Sequence, residues 1–161
     1  MLRMNHTFRL LADLVAESDR DALAELLHQI FPDTLVSDWA AELWYQQQRQ
    51  PVQAWLAWAD AQLVACKLGY ERKPGHYYSW LGGVHPDFRR RGLAQELMRQ
   101  QHAWGQQQGY RSIRTQTLNR WRSMLVLNLR MGFDIVGTVQ GERGLTLVLE
   151  KSILPAESAG L

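Results

Sequence analysis

The sequence predicts a mixed α/β (α+β) domain: a mostly antiparallel sheet that contains one parallel strand pair and is flanked by helices. Three observations carry that prediction. Val52–Trp58 and Gln62–Tyr70 are β-prone runs separated by a turn at Asp60-Ala61, the pattern of an antiparallel hairpin. His76–Val84 reads as a strand that breaks at Pro86-Asp87 and gives way to Leu93, Leu97 and Trp104 at helical spacing, after which Arg111–Leu118 reads as a strand again. A helix between two strands serves as a crossover, which makes those strands parallel. Phe133–Val139 and Leu145–Glu150 then form a closing pair.

The remaining elements follow in order. Phe8–Leu14 makes a short first strand. Ser18 or Asp19 caps a helix that carries Leu23, Leu26, Leu27 and Ile30 on one face and ends at Pro32-Asp33. Ser37 or Asp38 opens a second helix through Trp39, Leu43 and Trp44, closed by Pro51. Lys73-Pro74-Gly75 is a turn into the strand ending at Val84. The helix after that strand runs to about Gln108, where Gly109 stops it. Met124–Met131 is ambiguous. Leu125, Leu127 and Leu129 alternate in period two, which by pattern says strand. Leu, Met and Arg are nevertheless good helix formers, Asn119 is a candidate cap and Gly132 a terminator.

With 161 residues, 46% hydrophobic and 21% charged, the chain suits one packed core and excludes a disordered or fibrous class. There is no internal repeat and no linker, so residues 1–153 are expected to form one domain, with 154–161 a frayed tail. No apolar run approaches the roughly 20 residues of a membrane span. The opening residues lack the pattern of a secretory signal, and Cys66 is the sole cysteine. A reducing cytoplasm is the expected location.

The net charge of +2 hides an asymmetry. Between His85 and Arg130 lie nine arginines against the carboxylates Asp87 and Glu96, whereas residues 1–84 carry ten carboxylates against seven Lys and Arg. Such a division suits a polyanionic small molecule beside a cationic second substrate. Nucleic-acid binding is the rival use of the arginines, but it calls for a more basic domain or for interleaved aromatics.

The arginines centre on Arg89-Arg90-Arg91-Gly92-Leu93-Ala94, a basic, glycine-containing turn between a strand and a helix. The first turn of a helix has N–H groups without intrahelical partners and carries the positive end of the dipole. Gly92 lets a bulky diphosphate approach the backbone, and arginines add charge-assisted bonds to its oxygens.

With its signature Arg89-x-x-Gly92-x-Ala94, preceded by Gly83-Val84 and followed by Gly132-Phe133, the stretch from His76 to Lys151 resembles the Gcn5-related N-acetyltransferase (GNAT) superfamily. The resemblance implies a sheet whose parallel pair splays apart, and a helix at Met124–Met131. It implies acetyl-CoA as cosubstrate and no metal. The N–H groups from Arg90 through Gln95, by way of Leu93 and Ala94, would cradle the pyrophosphate, with Arg89 and Arg91 beside them. Val84 would exchange backbone bonds with the pantetheine arm, and Gly82 and Gly83 would leave the thioester unobstructed. The bland reading of that glycine pair is a bulge or close packing.

Asn128 stands five residues before Phe133, where many members carry a tyrosine that protonates the departing thiolate. An amide offers only a hydrogen bond. The bland alternative is a polar residue on an exposed helix face. Trp121 stands where an asparagine is frequent, and Asn119, offset by two, is the substitute candidate. Where some members have a glutamate base, six residues before Val84, this chain has Tyr78; Glu71, His76 and His85 are the other titratable groups in that region.

The expected activity is acetyl transfer from acetyl-CoA to a primary amine of a small molecule or peptide, by direct attack in a ternary complex. A homodimer is compatible with this reading, and no membrane partner is expected. A non-catalytic acyl-CoA-binding or sensing module and an Arg-rich nucleic-acid-binding domain are the competing classes. Cys66 lacks the neighbours of a covalent nucleophile and reads as a small apolar residue. Trp39, Trp44, Trp55 and Trp58 read as packing before they read as an acceptor pocket.

Overall fold

A computed structural model describes residues 5–155. The elements are β1 (His6–Leu11), α1 (Glu17–Ile30), α2 (Trp39–Arg49), β2 (Val52–Ala59), β3 (Gln62–Lys73), β4 (His76–Val84), a single 3-10 turn (Pro86–Phe88), α3 (Leu93–Gln107), β5 (Ser112–Leu118), α4 (Arg122–Arg130), β6 (Asp134–Gly141) and β7 (Gly144–Ser152). The strands form a seven-stranded sheet of order β1-β2-β3-β4-β5-β7-β6. β4 and β5 pair in parallel, from His76↔Ser112 to Ser79↔Thr115, and the other registered pairs are antiparallel. This is the predicted class. Of the expected tail, only Leu154 and Pro155 fall within the described residues. No described helix is long and apolar enough to cross a membrane.

The chain divides into two compact units. The first holds residues up to Tyr70 together with Leu81–Gln101. In it, α1 buries the stripe Leu23, Leu26, Leu27 and Ile30, as its spacing demands. Its N-cap is Ala16, with no side-chain cap, which corrects the expectation of Ser18 or Asp19. Glu17 and Asp19 lie inside the first turn instead, where they complement the dipole. The start is also held by Arg20, which donates to the carbonyls of Leu14 and Val15. Asp38 caps α2 by accepting from the Ala41 N–H at 3.0 Å.

Buried within α2, Gln47 accepts from the Leu14 and Val52 N–H groups, each at 2.9 Å. One amide oxygen thus accepts from two backbone donors, one of them at the start of β2. β2 and β3 form the hairpin, and Asp60 takes the left-handed conformation its turn requires (φ 52°).

The second unit holds Glu71–Trp80 and the chain from His102 onward. Tyr77 packs edge-on to Trp104, with ring centroids 5.4 Å apart, and lies 5.2 Å from Tyr110. Gly109 and Gly132 have φ of +86° and +94° and follow the ends of α3 and α4. The ambiguous Leu-rich segment is helical. Asn119 does not cap it, however: the N-cap is Trp121, without a side-chain bond, and the Asn119 N–H donates to the Leu145 carbonyl at 2.8 Å.

Candidate active site

In the first unit, β4 ends at Val84 and the 3-10 turn Pro86–Phe88 leads into the basic turn. Arg90 adopts φ 63° and Gly92 φ 76°, two left-handed residues flanking Arg91, and α3 begins at Leu93. Alternation of this kind turns successive N–H groups toward one concave side. A Cβ placed on Gly92 would meet no atom within 4 Å, so the space before the helix start is open. Gly92 also accepts from the Glu96 N–H at 3.0 Å, closing the first helical turn. Ala94 and Gln95 sit inside that turn.

The arginines divide their work. Arg89 Nε donates to the Val84 carbonyl at 3.2 Å, pinning the turn to the end of β4. Arg91 lies 4.9 Å from the Phe88 ring centroid and reaches the Asp87 carbonyl. Arg90 is exposed, with no partner found among the described residues. Further along, Arg99 and Gln100 both bond Glu96 and hold its carboxyl down at about 2, so it stays ionised.

Gly82 and Gly83 are packed on by side chains. A Cβ on Gly83 would fall 2.5 Å from Ile30 Cγ2. One on Gly82 would fall 2.9 Å from Lys67 Cδ and 3.6 Å from Lys67 Nζ. Lys67 is buried in β3, directly opposite Trp55 of β2. Burial lowers its amine from 10.5 to about 8. Sequence reasoning missed this residue, and the available signal was a lysine inside the apolar run Val64-Ala-Cys-Lys-Leu68. Cys66 next to it is buried and free, and burial pushes its thiol up to about 12. It is therefore not a nucleophile near neutrality, in keeping with its reading as a small apolar residue.

In the second unit, Asn128 on α4 is only 2% exposed, which corrects the bland reading of an exposed polar residue. Its carbonyl accepts from the Phe133 N–H at 3.0 Å, while its side-chain Oδ1 is buried with no partner among the described residues. Tyr78 lies half-buried on β4, in register with Arg114 of β5. The other titratable candidates are held in local contacts. Glu71 accepts from the Tyr110 hydroxyl at 2.7 Å, and His76 Nδ1 lies 2.7 Å from Ser112 Oγ. Burial and the Lys73 and Arg72 charges hold His76 below its usual range. In the first unit, His85 Nδ1 accepts from the Asp87 N–H at 3.1 Å. Trp39 and Trp55 are buried and pack in the core, whereas Trp44 is exposed, with the Arg20 guanidinium 4.3 Å over its ring. Among the described residues, no group of three or more His, Cys, Asp or Glu is arranged to hold a metal.

Among solved structures, the ribosomal-protein-S18-alanine N-acetyltransferase of Escherichia coli superposes with a TM-score of 0.77 at 13% identity, covering 94% of this chain and 96% of that one. Ard1 from Thermoplasma volcanium gives 0.75 at 15% identity, over 93% and 99% of the two chains. Arabidopsis thaliana NAA60, solved in complex with acetyl-CoA, gives 0.75 at 15% identity, over 92% and 99%. At such identities the likeness is one of fold. No curated protein matches the sequence. The model of the acetyltransferase (GNAT) family matches residues 20–125, about two thirds of the chain and all of the strand, turn and helix start described above, and the protein belongs to that family.

Proposed function

We propose that the protein is an acetyl-CoA-dependent N-acetyltransferase that acetylates a primary amine of a small molecule or peptide in the cytoplasm, with residues 1–153 acting as one catalytic domain. The observation that carries this reading is the turn after β4. Left-handed Arg90 and Gly92 precede the α3 start, and open space lies where a Gly92 side chain would be. The residues there fit a diphosphate: N–H groups from Arg90 through Gln95 bind it, Arg90 adds charge, and Arg89 fixes the turn. Bound acetyl-CoA supplies an activated thioester. The backbone of Gly82–Val84 aligns that thioester and stabilises the oxyanion formed on attack. Asn128, by its position in the family pattern, offers the departing sulfur a neutral hydrogen bond, with Asn119 and Tyr78 as the other candidate groups. Transfer is direct, a route supported by the burial of the Cys66 thiol, which disfavours its thiolate.

A non-catalytic acyl-CoA-binding module is the second reading. What favours it is that Glu71, His76 and His85 are each engaged in a local contact rather than standing ready as a base. Release of CoA thiol from acetyl-CoA, measured against polyamines, amino acids, aminoglycosides and peptide N-termini, separates the two. Amine-dependent release that Gly92→Glu abolishes supports the enzyme. Thermal stabilisation by acetyl-CoA without turnover on any amine supports the binding module.

A further inference from the structure

Lys67 is a buried amine whose presence the sheet does not need. It lies on a strand covered on both faces, where Val64 through Gly69 are all buried. Among the described residues, neither a carboxylate nor a hydrogen-bond acceptor pairs with it. Desolvation of an ammonium in such a place is costly, and a methionine or leucine would fill the volume without that cost.

Its path explains where the amine goes. The stem leaves β3 and passes over the neighbouring strand at Gly82, with Cδ 2.9 Å and Nζ 3.6 Å from the point where a Gly82 Cβ would lie. A side chain at position 82 would block that path. The missing Cβ and the reaching lysine thus form one arrangement, which places a primary amine over the β4 segment assigned above to the thioester. Only three lysines exist in the chain: Lys67, Lys73 and Lys151. Lys73 is exposed, and Lys151 Nζ lies 3.1 Å from His102 Nδ1.

We infer that Lys67 is itself an acetyl acceptor, a self-acetylation site that is modified when acetyl-CoA is bound and no external amine is present. The inference rests on the acetyl-CoA reading above. In its neutral form the Nζ lone pair attacks the thioester carbonyl carbon. A C–N bond forms, the C–S bond breaks, and the thiolate takes the proton that the nitrogen loses. The products are Nζ-acetyl-lysine and CoA thiol, with no other reactant. Burial lowers the proton affinity of the amine and so raises the neutral fraction available for attack. The product amide is a poor acyl donor, so acetyl-Lys67 is an end state that removes a buried charge and occupies the space beside Gly82.

Exposure makes the test discriminating. Unassisted chemistry favours Lys73, which is exposed, over Lys67, which keeps only 8% of its surface exposed. The protein is incubated with acetyl-CoA without acceptor, and its intact mass and proteolytic peptides are followed alongside its melting temperature. The expected result is one added acetyl group, mapped to Lys67 and appearing at least about tenfold faster than any at Lys73, as expected of a donor held in place. It is absent in Lys67→Met. It is also lost in Gly92→Glu, which keeps Lys67 but obstructs the diphosphate turn, so the result does not depend on the folding of the lysine variant alone. A rise in melting temperature with acetyl-CoA but an unmodified Lys67, or modification of Lys73 first, overturns the inference and leaves the acetyl-CoA reading standing. No rise in melting temperature and no modification overturns both.

Discussion

Ile30 of α1 fills the space in which a side chain at Gly83 of β4 would lie, with its Cγ2 2.5 Å from the site of the missing Cβ. With no room for a Cβ at position 83, the helix and the strand set each other's position. Gly83→Ala should therefore destabilise the fold by about 1–3 kcal/mol through overpacking. In an Ile30→Ala background the same change should cost little, leaving a coupling of at least about 1 kcal/mol between the two sites. Urea denaturation of the four proteins measures it. Strict additivity would mean that the strand yields and Ile30 does not.

Gly92 makes the opposite case, because its φ of +76° rather than crowding demands a glycine. Gly92→Ala should cost about 1–2 kcal/mol for the left-handed conformation, yet keep acetyl-CoA binding, since the space in front of it is open. Gly92→Glu adds a longer, anionic side chain where a diphosphate is expected, and should abolish the rise in melting temperature that acetyl-CoA gives the wild type. Differential scanning fluorimetry with and without acetyl-CoA checks both. Equal loss in the two variants would show that the turn's conformation matters more than its openness.

Lys67 should leave a signature in the pH dependence of stability. Its amine falls from 10.5 to about 8 on folding, because burial disfavours the charged form. The unfolded chain therefore binds the proton more tightly, and stability rises with pH across that interval. Below about 8 the penalty is present in full; above 10.5 it has gone. The size of the shift corresponds to roughly 3 kcal/mol. Lys67→Met should accordingly be more stable than wild type at neutral pH, by up to that amount, with the difference closing between pH 8 and 10.5. Denaturation midpoints of both proteins across pH provide the check. A variant less stable at every pH would mean that the ammonium is compensated in the native state.

These residues also mark where the sequence was legible. The stripe Leu23, Leu26, Leu27, Ile30 and the glycines at 109 and 132 were readable, because helix period and left-handed backbone are local properties. So was the turn at Arg89–Ala94, where strand, glycine and helix start adjoin in the chain. Local pattern misled at Leu125, Leu127 and Leu129, whose alternation belongs to a helix. Lys67 was invisible for another reason. Alternation places a lysine on a solvent face, but β3 has no solvent face from Val64 to Gly69. Gln47 stands within the polar run Gln46-Gln-Gln-Arg-Gln50, and only the fold brings Leu14, 33 residues away, to its side-chain oxygen. The caps of α1 and α4 failed similarly, since in both helices the capping position falls on a residue without a capping side chain.

Asn128 combines burial with an unmet bond, and this separates its two roles. At 2% exposure, its Oδ1 finds no partner among the described residues, an arrangement that costs a fold about 1–3 kcal/mol. Asn128→Leu, with the same number and branching of side-chain heavy atoms but none of them polar, should therefore raise stability by on the order of 1 kcal/mol where the site accommodates the larger methyls. The same change should slow acetyl transfer by about tenfold or less, because one neutral hydrogen bond is worth about 0.5–1.5 kcal/mol and 1.4 kcal/mol is tenfold in rate. A general acid would instead account for about 10²–10⁴-fold. Asn128→Tyr introduces a far larger side chain at a buried position, so it should lose stability even where the family pattern favours a tyrosine. Urea midpoints and kcat for the wild type and both variants decide the matter. A leucine variant that is less stable would show that Oδ1 is satisfied in the native protein. One that is more stable but a thousandfold slower would show that Asn128 organises the transition state beyond a single bond to sulfur.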